Sequence, residues 1–150
     1  MAARPVVTGG RKLLFERLVD DPSAEAPHDD GTHDCAGLYA SIAMEVERLF
    51  NTRLPLDAAA LARRRRSTVD YGIPDLSLFP PRHPEAETAL ARHLAEAVQA
   101  FEPRLAAPVV TLERTDSPDG RLIAHVAGTV RLESLLQPLH FTVELRPHGG

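Results

Sequence analysis

Between Phe101 and Val110 the hydrophobic pattern of this chain changes period, and that change limits the folds open to it. Before it, Leu90, Leu94, Val98 and Phe101 recur at helical steps along residues 85–101. After it, Val110 and Leu112 alternate with Thr111 and Glu113, the pattern of a strand with one buried face. Proline disfavours helical geometry in the residue before it and lacks the amide hydrogen, so Pro103 predicts a helix end near Phe101 or Glu102. Phe101-Glu102-Pro103-Arg104-Leu105 is thus the hinge between a helical half and a strand half. Glu102 and Arg104 stand two apart, and such positions diverge on a helix, so each charge is expected to find its partner elsewhere. Glu102 also lies where the helix dipole disfavours an anion, which points to a functional role.

On the helical side, Leu38, Ile42, Val46 and Leu49 mark one face of an amphipathic helix from Ala36 to Phe50. Asn51-Thr52-Arg53 forms its exit, and Pro55 stops any continuation. Asp57 is placed to cap a short helix from Ala58 to Arg64. Tyr71-Gly72-Ile73-Pro74-Asp75 has the punctuation of an ordered turn, and Phe79 to Pro84 reads as a stiff connection. Upstream, residues 11–19 carry a short apolar helical pattern that needs a surface to dock on, and Asp20 to Cys35 reads as an acidic linker.

On the strand side, Asp116-Ser117-Pro118-Asp119-Gly120 is a turn. Leu122, Ala124, Val126, Val130 and Leu132 share one face of the next strand, and Leu139, Phe141, Val143 and Leu145 one face of the last. His125, Thr129, Arg131, His140, Thr142, Glu144 and Arg146 lie opposite. The predicted class is α+β: an antiparallel meander of about three strands, with two main helices and shorter N-terminal helices packed on one face. Residues 1–35 are read as a short helix and flexible linker, and residues 36–150 as one domain.

Composition narrows the function. A formal net charge of −4 argues against general affinity for nucleic acid, and no stretch approaches the length of a membrane span. The first ten residues lack the apolar core of a secretory signal, and a single cysteine fits a reducing cytosol, so a cytoplasmic chain is expected. His28, Asp29, Asp30, His33, Asp34 and Cys35 include zinc-ligand types, but their spacing matches no paired-ligand pattern; no metal and no cofactor are expected. The run Arg63 to Arg66 has no aromatic platform for nucleic acid and reads as a solvated face or a docking surface for an acidic partner.

Glycoside hydrolysis needs two carboxylates about a cleft, and Glu102 with Asp70 or Asp75 is the available combination. A guanidinium at Arg104 would hold Glu102 ionised, the wrong state for a general acid. Ser41 and Ser67 have no evident histidine base, and no nucleophile elbow or phosphate loop is present. His125 and His140 are read as surface residues that touch if the strands pair in that register.

Four motifs in order, Phe15-Glu16-Arg17-Leu18, Asn51-Thr52-Arg53, Tyr71-Gly72-Ile73-Pro74-Asp75 and Phe101-Glu102-Pro103-Arg104-Leu105, together resemble the TssE family of type VI secretion baseplate subunits. That family is related to the baseplate wedge protein of contractile phage tails that carries a "lysozyme-like" label. The resemblance runs from about Leu13 to Arg146, leaving out the acidic linker. It implies a non-enzymatic wedge subunit that joins TssF and TssG, with TssK beyond, to the contractile sheath of TssB and TssC. It also implies that Glu102, Pro103 and Arg104, with Asn51, Arg53, Tyr71 and Asp75, are partner contacts rather than an active site. The meander would then pair with sheath strands. Phe50 and Ile73 stand where the family has leucine, and the last strand is expected to be shorter than in relatives. The alternatives are a glycan-cleaving enzyme using Glu102 and the equivalent wedge protein of a phage or phage-like particle.

Overall fold

The computed structural model describes residues 35–55, 60, 61, 63, 65–80, 83–115, 121–132 and 135–146. Outside them lie the Phe15-Glu16-Arg17-Leu18 motif, the histidine and aspartate residues at 28–34, most of the predicted 58–64 helix and the 116–120 turn. Helix α1 spans Cys35–Phe50 and α2 spans Pro84–Phe101, each within a residue of the apolar periodicity. Three strands follow, β1 Leu105–Arg114, β2 Leu122–Leu132 and β3 Leu135–Leu145, in an antiparallel sheet of order β1-β2-β3. The fold is α+β, as the change of period requires. Strand β1 begins at Leu105 itself, directly on the hinge, rather than a few residues beyond it.

Both helices lie against the sheet, α2 along β1 and α1 along β3, and bury one aliphatic core between the layers. Leu38, Ile42, Val46 and Leu49 of α1 meet Leu90, Leu94 and Val98 of α2 there, with Val110, Ala124, Val126, Val130 and Val143 from the sheet. Phe50, Ile73 and Leu105 complete the core, so three residues at motif positions are also fully buried packing residues.

Strand β1 is irregular, whereas β3 pairs with β2 in unbroken register. In β1 the register shifts between Ala106 and Val109, with Ala107 at φ 49°, a bulge around Pro108 on a strand edge. Across it Gly128 leaves room for Leu105, whose Cδ1 would stand 2.7 Å from an added Cβ. The pairing of β2 with β3 places His125 opposite Thr142 and Ala127 opposite His140. The two histidines are therefore diagonal neighbours and not a facing pair. His125 instead meets Glu113 of β1 at 2.8 Å. The face away from the helices is less polar than the alternation implied, because Val109, Ile123 and Ala127 lie in its rows beside Glu113, His125 and His140.

Candidate functional site

The last turn of α2 delivers Glu102 into the interior. Its amide still donates to the Val98 carbonyl at 2.8 Å, but its backbone has left helical geometry at φ −121° and ψ 75°, and the Leu105 amide returns to the Glu102 carbonyl at 3.1 Å. In this tight reversal around Pro103 the side chains at 102 and 104 fall on the same side. Arg104 donates from Nε to Glu102 Oε1 at 2.8 Å and from an Nη nitrogen to Oε2 at 2.6 Å, and its backbone amide reaches Oε1 at 3.1 Å. The remaining Nη donates to Ser41 Oγ of α1 at 2.9 Å.

The expectation of separate partners is thus overturned: the two charges pair with each other in a two-pronged fork. The helical spacing rule fails here because the helix has already ended, and in a more extended backbone alternate residues share a side. Glu102 is 4% exposed, and Ser41 is 1% exposed. Burial of this kind is tolerated because the carboxylate accepts three N–H donors in near-ideal geometry.

The turn at 71–75 packs onto this corner. Tyr71 sets its ring edge-on against Phe101 with centroids 5.3 Å apart. Burial pushes its phenol above the usual range, the carboxylates of Glu45 and Glu102 act in the same direction, and Arg48 opposes them. Gly72 adopts φ +121° because the turn runs against Thr52, whose carbonyl oxygen would lie 2.7 Å from an added Cβ. The Ile73 amide donates to the Thr52 carbonyl and the Leu54 amide to the Ile73 carbonyl, both at 2.9 Å, a parallel bridge between two of the motifs.

Asn51 and Arg53 tie the exit of α1 to the end of β3. Asn51 Oδ1 accepts from the Arg146 amide at 3.0 Å, and its Nδ2 donates to the Glu47 and Glu144 carbonyls at 3.0 and 3.3 Å. Arg53 donates to the Phe50 carbonyl at 2.7 Å and to the Arg146 carbonyl. Burial draws its guanidinium below the ordinary value, and the charge of Asp75 opposes that shift. Asp75 itself accepts from the Ser77 amide at 2.9 Å, opening a single 3-10 turn over Leu76–Leu78.

All seven residues singled out from the sequence thus fall in one connected corner, but their polar groups are largely engaged within the chain. Pro103 is exposed, Glu102 is buried, and Asn51, Arg53, Tyr71, Asp75 and Arg104 are half-buried. The two carboxylates considered as the second group for glycoside hydrolysis are both engaged locally. Asp70 accepts from the Ser67 amide and hydroxyl at 2.9 and 3.0 Å, and Asp75 caps its own turn. No group of three metal-ligating side chains occurs among the described residues, and no described helix is long and apolar enough to cross a membrane.

Sequence reasoning missed Ser41, the buried hydroxyl that completes the Arg104 fork, because its only signal was a polar residue next to Ile42 on an apolar helix face. It also missed that Arg66 is half-buried and donates to the Gly72 carbonyl at 3.0 Å, which makes it a support of the same turn rather than part of a solvated run.

Among solved structures, a chain of the baseplate complex from the type VI secretion system shares 22% identity over 71% of this chain and 93% of its own, with a TM-score of 0.48. A protein of Geobacter sulfurreducens described as a tail lysozyme shares 18% identity over 73% of this chain and 96% of its own, with a TM-score of 0.43. No curated protein matches the sequence. The model of the family named baseplate wedge protein gp25 matches residues 36–134, which takes in α1, both central motifs, α2, the Glu102–Arg104 corner and the first two strands. The chain belongs to the baseplate wedge protein gp25 family.

Proposed function

We propose that this protein is a non-enzymatic structural subunit of a type VI secretion baseplate, equivalent to TssE. It acts in the cytoplasm by joining the wedge subunits TssF and TssG, with TssK beyond, to the TssB and TssC sheath. The observation that carries the reading is the family match across residues 36–134, which spans the buried Glu102–Arg104 corner. That corner suits assembly better than catalysis. A carboxylate held by three donors in the interior has little freedom to exchange protons with a substrate, whereas a locked turn presents Pro103 at low entropic cost to a partner. Asn51, Arg53, Tyr71 and Asp75 fix the angle of that turn, and Pro103 with the outer part of Arg104 forms the contact. The sheet, with β1 and β3 as its edge strands, is the surface for sheath strands.

Co-expression with TssF and TssG followed by pull-down tests the reading. Wild-type protein is expected to be retained, and Pro103→Asp, at an exposed position, is expected to be lost while its thermal melt stays close to wild type. A Pro103→Asp chain that assembles normally removes this turn from the interface; a wild-type chain that captures neither wedge nor sheath subunits overturns the baseplate role itself.

A further inference from the structure

On the other side of α2 from the core, a cavity of about 710 Å³ opens between the helix and the segment before the Tyr71 turn. Among the described residues Arg65, Arg66, Arg92 and His93 line it with the carboxylate of Glu96, and the charge of Asp70 also acts on Arg66. Glu96 does not balance the site, since it reaches Arg92 at 3.9 Å and His93 at 3.5 Å, both long. Arg66 uses one terminal nitrogen on the Gly72 carbonyl, and the other, Nη2, is buried with no hydrogen-bond partner. A buried guanidinium nitrogen without an acceptor is costly, and the acceptor that fits its planar fork best is a carboxylate or another oxyanion.

The rest of the chain carries the complementary charge. The chain is net negative, and residues 20–34 hold six carboxylates, from Asp20 to Asp34, and no lysine or arginine. That acidic stretch lies outside the described residues and joins the domain at Cys35, the first residue of α1. Fifteen residues extend to about 50 Å, whereas a domain of this size has a radius of gyration of only about 13 Å. Every face of the domain is within reach. Covalent attachment also places these carboxylates at an effective concentration in the millimolar range or thereabouts, far above that of a peptide in solution.

We propose that the Arg65–Arg66–Arg92 cavity is a carboxylate-binding site and that its occupant is the acidic segment 20–34 of the same chain. Docked there, the segment supplies an acceptor for Arg66 Nη2, neutralises the three guanidinia, and brings the preceding residues 11–19 against the domain. The site is separate from the Glu102–Arg104 corner.

The test uses the full chain. With Cys35→Ser and Ala26→Cys, a nitroxide is attached inside the acidic segment without removing a charge, and amide signal intensities are compared for oxidised and reduced label. The expected result is loss of signal at His93, Glu96 and Ala100, restored in 0.5 M NaCl and in the Arg65→Ser/Arg92→Ser variant. Both arginines in that variant are exposed, so the fold does not depend on them. Added free peptide of residues 20–34 in excess is expected to restore the same signals. Broadening elsewhere, no broadening, or broadening that persists in the double variant overturns the proposal. Because the isolated chain is observed, the result is independent of whether it joins a baseplate.

Discussion

Two sets of guanidinia border α2 and its exit, and they have been treated oppositely by the fold. At the exit, Arg104 is closed on Glu102 and Ser41, so the buried carboxylate and its guanidinium are paired within the chain itself. Farther back on the helix, Arg65, Arg66 and Arg92 face one another across a cavity with one poorly placed carboxylate and a buried Nη2 left over. The difference is a guide to function. A buried charge that is internally complete serves geometry, fixing how α1, α2 and β1 meet; a charge cluster left incomplete is a place where something else binds.

The strongest way to break this comparison is to open the closed corner. Glu102→Ala strands the Arg104 guanidinium and is expected to cost about 3 kcal/mol of folding stability, measured by urea denaturation. The paired replacement Glu102→Gln/Arg104→Met should recover much of that loss, because it removes both charges together. If Glu102→Ala unfolded at the wild-type midpoint, the corner would not be a structural pair.

Gly72→Ala comes next. The added methyl meets the Thr52 carbonyl and holds alanine at positive φ, an expected loss of about 2 kcal/mol. Thermal melts should show it, and a neutral result would mean the 71–75 turn is free to shift away from Asn51-Thr52-Arg53. Ser41→Ala removes one acceptor from Arg104 and should cost about 1 kcal/mol.

The open basin should respond to pH instead. Burial lowers the His93 pKa from its ordinary 6.5, with the charges of Arg92 and Arg66 acting in the same direction and Glu96 opposing. The unfolded chain therefore binds the proton more readily. Stability from this residue is present above pH 6.5 and is lost as pH falls through the lower folded value. His93→Gln should flatten that part of the pH profile; an unchanged slope below pH 6.5 would assign the dependence to other groups. Smallest of all, Arg92→Ser should change folding stability by no more than about 0.5 kcal/mol, since this exposed arginine carries no structural load.

Much of the fold was legible in advance. Leu38, Ile42, Val46 and Leu49, then Leu90, Leu94 and Val98, declared two helices and the faces they bury, and the alternation after Leu105 declared the strands. The described motifs at 51–53, 71–75 and 101–105 lie together in space, which their separation along the chain did not announce. What could not be read was how each is used. Asn51 and Arg53 were candidates for partner contact, yet their hydrogen bonds run to Glu144 and Arg146 at the far end of the chain, a pairing that no local pattern announces. The His125 register was likewise open until β2 and β3 were aligned.

The sequence alone determined the extent of the two main helices and which side of each helix and strand is buried, because periodicity and proline act on neighbouring residues. Tertiary structure alone decided the fate of the charges. Whether Glu102 closes on Arg104, whether Ser41 completes the fork, and whether Arg66 keeps an unmet donor all depend on which distant backbone arrives beside them and how much water it excludes. Electrostatic and hydrogen-bond energies are set by that three-dimensional environment and not by spacing along the chain.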